Sequence, residues 1–205
     1  MRLGIEVLDY LKRVQAMAKT GLSYTENPYD VERYEELRDY TNKMISLISG
    51  MQNEEVKAYF DHLDRYPTPK VDVRAFVVKE ERLLMVCENT DGKWAIPGGW
   101  ADIGVSPEEN VIKEVKEETG FQVKVKKLLA VWDKRKHDHP PAAEYVYKLN
   151  FLCEITGGSL NPGHETLGAD FFEFENLPEL SLDRNTTKQI LKLRELARSS
   201  ETAFD

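Results

Sequence analysis

Apolar positions follow two periods along the chain, and the change falls near residue 67. Before it, Leu8, Leu11, Val14 and Ala18 recur at helical spacing, and Gly21 is expected to end that helix. Asn27-Pro28 opens a second helix with Asp30 and Glu32 in its first turn. Tyr34, Leu37, Met44 and Ile48 form its expected apolar stripe before Gly50. A third, shorter helix begins at Asn53 and carries Val56, Tyr59 and Phe60. Tyr66-Pro67-Thr68-Pro69 reads as a linker, because proline extends neither neighbour.

Beyond the linker the period becomes two. Val71, Val73, Ala75 and Val77 alternate with Asp72 and Arg74, and the charged turn Lys79 to Arg82 leads to Leu83-Leu84-Met85-Val86-Cys87. After the turn Asp91-Gly92, Trp94-Ala95-Ile96-Pro97 delivers the chain to Gly98-Gly99. Further strands are expected from Val123 to Trp132, along Tyr145, Tyr147, Leu149, Phe151 and Cys153, and at Phe171 to Phe174. The loops between them are Asp133 to Ala143 and Asn161 to Gly168, with a turn at Gly157-Gly158. A closing helix from about Asn185 buries Ile190, Leu193, Leu196 and Ala197. Helical text followed by strands and two helices predicts a small all-α domain over 1–66 and an α+β domain over 67–205.

The helix after Gly98-Gly99 is the best signalled. Ser106 is an N-cap, Pro107 suits the first helical position, Glu109 completes a capping box and Gly120 is a stop. Glu114, Glu117 and Glu118 stand at i, i+3 and i+4 and share one face. Val111, Ile112 and Val115 supply an apolar face beside it. An acidic helix face with Lys113 and Lys116 as partners is ordinarily solvated surface. The glycine pair changes that reading, because bare backbone can approach an ion there. Crowded carboxylates at a helix C-terminus suit a hard divalent cation.

Composition narrows the classes. The 205 residues carry a net charge of −8, which excludes a general nucleic-acid or anionic-membrane surface. Residues 1–66 hold nine Lys and Arg against twelve Asp and Glu, so a DNA-binding reading of the helical domain lacks its basic face. Cys87 and Cys153 sit in apolar strands and read as free thiols of a reducing compartment. With no signal-peptide pattern at Met1 to Glu6 and no transmembrane-length run, a soluble cytoplasmic protein is expected.

The stretch from Gly99 resembles the signature box of the Nudix hydrolases: Gly, five residues, Glu, seven residues, then Arg-Glu-apolar-x-Glu-Glu-x-Gly-apolar. Gly99, Glu114, Val115, Glu117, Glu118, Gly120 and Phe121 fall in register. Val105 stands where the family has Glu and Lys113 where it has Arg, two positions that typically pair with each other. Glu175-Asn176-Leu177-Pro178 is similar to text common near the family's C-terminus. The resemblance, over about residues 70–200, implies an α/β/α sandwich with a mixed sheet. Residues 1–66 and Gly98-Gly99-Trp100-Ala101-Asp102 resemble a subgroup with an N-terminal helical domain that includes CDP-choline pyrophosphatases.

The resemblance implies hydrolysis of a nucleoside diphosphate linked to another group. Glu114, Glu117, Glu118 and Gly98 are the expected metal ligands, for Mg²⁺ or Mn²⁺. Glu114, Glu117 and, from the loop before the Phe171 strand, Glu165 are the candidates to take a proton from the attacking water. Trp100, Asp102, Trp132 and His139 are candidate substrate contacts, and His137 and His164 also lie in loops where they are able to act near neutral pH. CDP-choline leads as substrate, its cation suited to aromatic faces such as Tyr24, Tyr29, Tyr34, Tyr40 and Tyr59. ADP-ribose or a nucleotide sugar is the alternative, with an RNA 3′ end as a secondary substrate. A different class is an inactive Nudix domain that senses ligands. A homodimer built on the helical domain is the expected assembly.

Overall fold

The computed structural model describes residues 2–61, 67–142 and 144–205. Tyr66 of the linker and Ala143 at the end of one loop lie outside the described residues. The chain divides into two units, Met1–Thr68 and Pro69–Asp205.

In the first unit, α1 (Arg2–Tyr24), α2 (Pro28–Ser49) and α3 (Asn53–Asp61) pack around Leu11, Ile45, Val56 and Phe60. Asn27 caps α2 by accepting from the Tyr29 N–H, and Gly50 ends it at φ 75°. Two expectations are corrected. Gly21 does not end α1, which runs on to Tyr24. Its lack of a side chain makes room for Tyr34 of α2, whose ring would lie 2.4 Å from a Cβ there. The buried residues of α2 are Thr41, Asn42 and Ile45, while Leu37, Met44 and Ile48 of the expected stripe are exposed. With Tyr10, Met17, Tyr24, Tyr29 and Leu47 they leave this unit with much apolar surface in water.

In the second unit, β1 (Lys70–Lys79) and β2 (Arg82–Glu88) form a hairpin around Glu80 and Glu81, both at positive φ. The later strands are β3 (Trp94–Ala95), β4 (Phe121–Asp133), β5 (Val146–Gly158), β6 (Thr166–Glu173) and β7 (Ala203–Phe204). With β1 and β2 they make one mixed sheet in the order β3-β2-β1-β5-β4-β7, with β6 beside β2. The short β7, which joins β4 in parallel, has no counterpart in the sequence reading. Strand β6 begins at Thr166 and shortens the expected loop.

The pleat of β1 sorts its residues to two helices. Val73, Ala75 and Val77 meet Val111 and Val115 of α4 (Pro107–Thr119) in one core. Phe76 meets Ile190, Leu193 and Leu196 of α5 (Thr187–Ala197) in the other. The result is an α/β/α sandwich. Alternation of this kind ordinarily leaves the polar positions in water, yet Asp72 and Arg74 are 3% and 1% exposed.

Candidate active site

Strands β1 and β2 pair only at the hairpin, over Val78–Leu83 and Lys79–Arg82, so most of one edge of β1 lacks a neighbouring strand. The glycine segment fills it. Ala75 N–H donates to Pro97 O (2.8 Å), Val73 N–H to Gly99 O (2.8 Å), and Ala101 N–H to Val71 O (2.9 Å). This close docking demands glycine: a Cβ on Gly98 (φ +139°) would lie 2.0 Å from Val73 O. The pairing that β1 makes to the segment does not use the Gly98 carbonyl.

Helix α4 carries the capping box of Ser106 and Glu109 and stops at Gly120, φ 79°. Asn110 fixes the intervening loop, accepting from Asp102 N–H (2.9 Å) and donating to the carbonyls of Val105 and Ser106. At the other end of the helix, Glu118 Oε2 accepts from Gly98 N–H at 2.8 Å and is 7% exposed. A Cβ on Gly99 would meet the Glu114 carboxylate at 3.0 Å. The turn therefore rests on two of the three box glutamates. Glu117 stands apart, exposed and 3.8 Å from Lys113.

Electrostatics mark the pair. Burial pushes the Glu118 carboxyl up to about 8, with Glu114 and Glu88 adding to the rise and the Arg74 charge and Gly98 N–H opposing it. Glu114 is raised too, chiefly by burial, with Arg74 opposing and Glu117 and Glu165 contributing. Among the described residues no group of three or more His, Cys, Asp or Glu side chains is gathered as a finished metal cage. The donors nonetheless suit a hard cation: a buried carboxylate, Glu118, and a half-buried one, Glu114, whose negative charge is disfavoured, set against a backbone cradle that a Cβ would fill.

The remaining candidates scatter. Glu165 is exposed, close enough to raise Glu114, and its carbonyl accepts from Asn89 Nδ2 (2.7 Å). Trp100 is 45% exposed, held to β1 by a bridge with Asp72, with Lys70 Nζ 5.2 Å from its ring centre. Asp102 is taken by Lys113 Nζ at 2.8 Å, so Lys113 finds a partner that Val105 cannot be. Trp132 is 4% exposed in the α5-side core, where its ring packs rather than faces solvent. His139 Nδ1–H donates to Leu182 O (2.6 Å), and burial drives the ring down to about 4, so it stays neutral at pH 7 instead of titrating there. His137 pairs with Asp205 at 2.9 Å, and His164 is exposed.

Residues that the pattern did not single out lie beneath the turn. Asp72 accepts from Arg74 Nε and Nη2, both at 2.9 Å, and from Lys148 Nζ at 3.0 Å. Arg74 Nη1 also donates to Ile96 O, next to the turn, and lies 3.8 Å from Glu88. Asn185, fully buried, accepts from Ile96 N–H at 3.2 Å. Polar residues inside an otherwise apolar strand were the available signal.

Residues 68–193 match the family described as the NUDIX domain. The chain belongs to the Nudix family. Residues 6–60 match a second family, described as a UDP-X-like, N-terminal oligomerisation domain of Nudix proteins. The protein named "Putative ADP-ribose pyrophosphatase YjhB" of Bacillus subtilis is 41% identical over 97% of this chain and 96% of its own. A Methanocaldococcus jannaschii ADP-ribose pyrophosphatase is 36% identical over 58% of this chain and 70% of its own. A solved UDP-X diphosphatase superposes over 98% of both chains with a TM-score of 0.64 and 35% identity. An ADP-ribose pyrophosphatase structure from Streptococcus suis covers 67% of this chain and 100% of its own, with a TM-score of 0.61 and 41% identity. This chain is a Nudix hydrolase of the pyrophosphatase kind, and such enzymes work with divalent metal. Among the described residues no helix is long and apolar enough to cross a membrane.

Proposed function

We propose that residues 67–205 form the catalytic domain and hydrolyse the diphosphate of a nucleoside diphosphate linked to another moiety, releasing a nucleoside monophosphate. The single observation that carries the siting is Glu118 hydrogen-bonded to Gly98 N–H while Glu114 presses on Gly99, both carboxyls raised by burial. Glu114, Glu117 and Glu118, with the Gly98 carbonyl, would hold Mg²⁺ or Mn²⁺. The metal, when bound, neutralises the diphosphate and acidifies water.

The chain's own groups supply the rest. Gly98 and Gly99 keep side chains out of the approach to the phosphates. Glu165 or Glu117, both exposed, takes the proton of the attacking water; Glu118, buried and tied to the turn, stays a ligand. Trp100 offers a half-exposed indole to the base. Asp102, paired with Lys113, holds the loop before α4, while Trp132 packs in the core and His139 is tied to Leu182, so neither is presented to substrate.

Two substrates lead. ADP-ribose is supported by the names of two relatives and a solved neighbour. UDP-linked compounds are supported by the solved relative that spans both units and by the family of the helical domain. Neither points to the CDP-choline expected from the sequence, which moves behind them. The exposed apolar residues of α1 and α2 would be covered by a second copy of the chain, giving a homodimer through the 1–66 domain.

The test is a panel of ADP-ribose, UDP-glucose and CDP-choline with Mg²⁺ or Mn²⁺, scored for monophosphate release. Release is expected, and Glu118→Gln should lower kcat by ~100-fold or more. Unchanged hydrolysis in Glu118→Gln would overturn the siting; no hydrolysis of any compound by the wild type would overturn the function.

A further inference from the structure

Beside the glycine turn lies a pocket of about 330 Å³, lined among others by Asp72, Trp100, Lys134, Lys148, Asp183 and Arg184. Its size is at the lower end of small-molecule sites. Asp72 and Lys148 of the lining, with Arg74 behind them, form an unusual charge cluster. Asp72, Arg74 and Lys148 are all at most 3% exposed, so one carboxylate is buried with two cations. Asp72 is fully committed, accepting two bonds from Arg74 and one from Lys148. Arg74 reaches Ile96 O and Glu88 as well. Lys148 has three N–H donors, and among the described residues its hydrogen-bond acceptor is Asp72. The wall cations, by contrast, have anions of their own: Lys134 lies 3.4 Å from Asp183 and Arg184 lies 3.2 Å from Glu88.

A donor with spare N–H groups at the bottom of a pocket calls for an acceptor atom on the ligand. Two kinds of acceptor are available in a nucleoside diphosphate derivative, a phosphate oxygen and a base carbonyl. The lining carries four carboxylates against three cations, and Arg74 behind Asp72 only evens the count, so no net positive charge offsets the desolvation of a dianionic phosphate. A flat neutral ring with a carbonyl edge meets no such penalty, and Trp100 lines the same pocket with its indole partly exposed.

We propose that Lys148 determines base specificity: from the pocket floor it donates to a ring carbonyl, so the pocket takes uracil, with two carbonyls, over adenine, which has none. This rests on the reading of the neighbouring glutamates as a nucleoside diphosphate hydrolase and decides between its two substrates. Burial draws the Lys148 ammonium down to about 8, opposed by Asp72, so it is still protonated at pH 7 and available to donate. A charged donor to a buried acceptor contributes about 1.5–3 kcal/mol, or roughly 10- to 150-fold.

The experiment measures Kd for UMP and AMP by calorimetry, without added metal, and kcat/KM for UDP-glucose and ADP-ribose with Mn²⁺. Wild type, Lys148→Met and Lys148→Gln are compared after their melting curves confirm folding. The wild type is expected to bind UMP at least ~10-fold tighter than AMP. Lys148→Met should bring that ratio within about threefold, and Lys148→Gln, which keeps an N–H donor, should recover part of it. Should a variant not fold, the wild-type ratio alone decides: AMP binding as tightly as UMP overturns the proposal. An undiminished ratio in Lys148→Met also overturns it. Hydrolysis that ignores the base refutes the Lys148 role and leaves the pyrophosphatase intact. Lys148-dependent UMP binding without any hydrolysis does the reverse.

Discussion

A methyl group on Gly98 has nowhere to go. The contact it would make is with the backbone oxygen of Val73, at 2.0 Å, and the φ of +139° is itself reserved for glycine. Gly98→Ala should cost about 3 kcal/mol or more and abolish monophosphate release, read as a fall in melting temperature and in kcat. Gly21→Ala meets a tyrosine ring instead, which is able to swing away, so a smaller loss of about 1–2 kcal/mol is expected. The buried charges also set pH behaviour. Burial would raise Asp72, but Arg74 and Lys148 hold it down at about 2, below the usual 3.8. The stabilisation is therefore present above the usual value and lost as pH falls through 2. Denaturant melts at pH 7 and pH 2 should differ by about 2 kcal/mol more in the wild type than in a variant with Asp72→Asn and Lys148→Met together. Glu118 has the opposite sign, held protonated up to about 8. On the proposed siting, a divalent ion held by Glu118 would have to displace that proton, so Mn²⁺ affinity is expected to rise between pH 6.5 and 8.5, as calorimetry would show.

Elements differ in how openly the sequence announced them. Helix α4 came out as read, from Pro107 to Thr119, because its cap, its first-turn proline and its stop are local signals. Ser106→Ala is expected to cost about 1 kcal/mol in melting experiments, since it removes the acceptor for Glu109 N–H. Strand β1 was legible in its period but not in its burial. The charges of Asp72 and Arg74 look like a wet face, and only Lys148, 76 residues further on, completes the buried set. Strand β7 was invisible, because two residues carry no periodicity. The three box glutamates were only partly legible: spacing placed them on one helix face, while the fold selects Glu114 and Glu118 to meet the turn. Glu117 answers instead to Lys113, four residues away.

For the whole molecule, the α2 surface argues for association. Leu47 is 84% exposed and Met44 47%, on a helix of a unit that matches an oligomerisation domain. Leu47→Asp should shift the protein to a smaller species on size-exclusion chromatography with light scattering, leaving helical content unchanged by circular dichroism. A wild type that is already monomeric at micromolar concentration would remove the proposed dimer.

On the proposed siting, the docking of Pro97 to Ala101 along β1 would tie recognition to mechanical integrity. An ordinary loop opens by breaking contacts of its own; opening this segment would break the hydrogen bonds it shares with a strand of the central sheet. The amides of Val73, Ala75 and Ala101 should then exchange with solvent as slowly as the sheet interior and all at one rate, so that deuterium uptake there reports at once on the fold and on the readiness of the site.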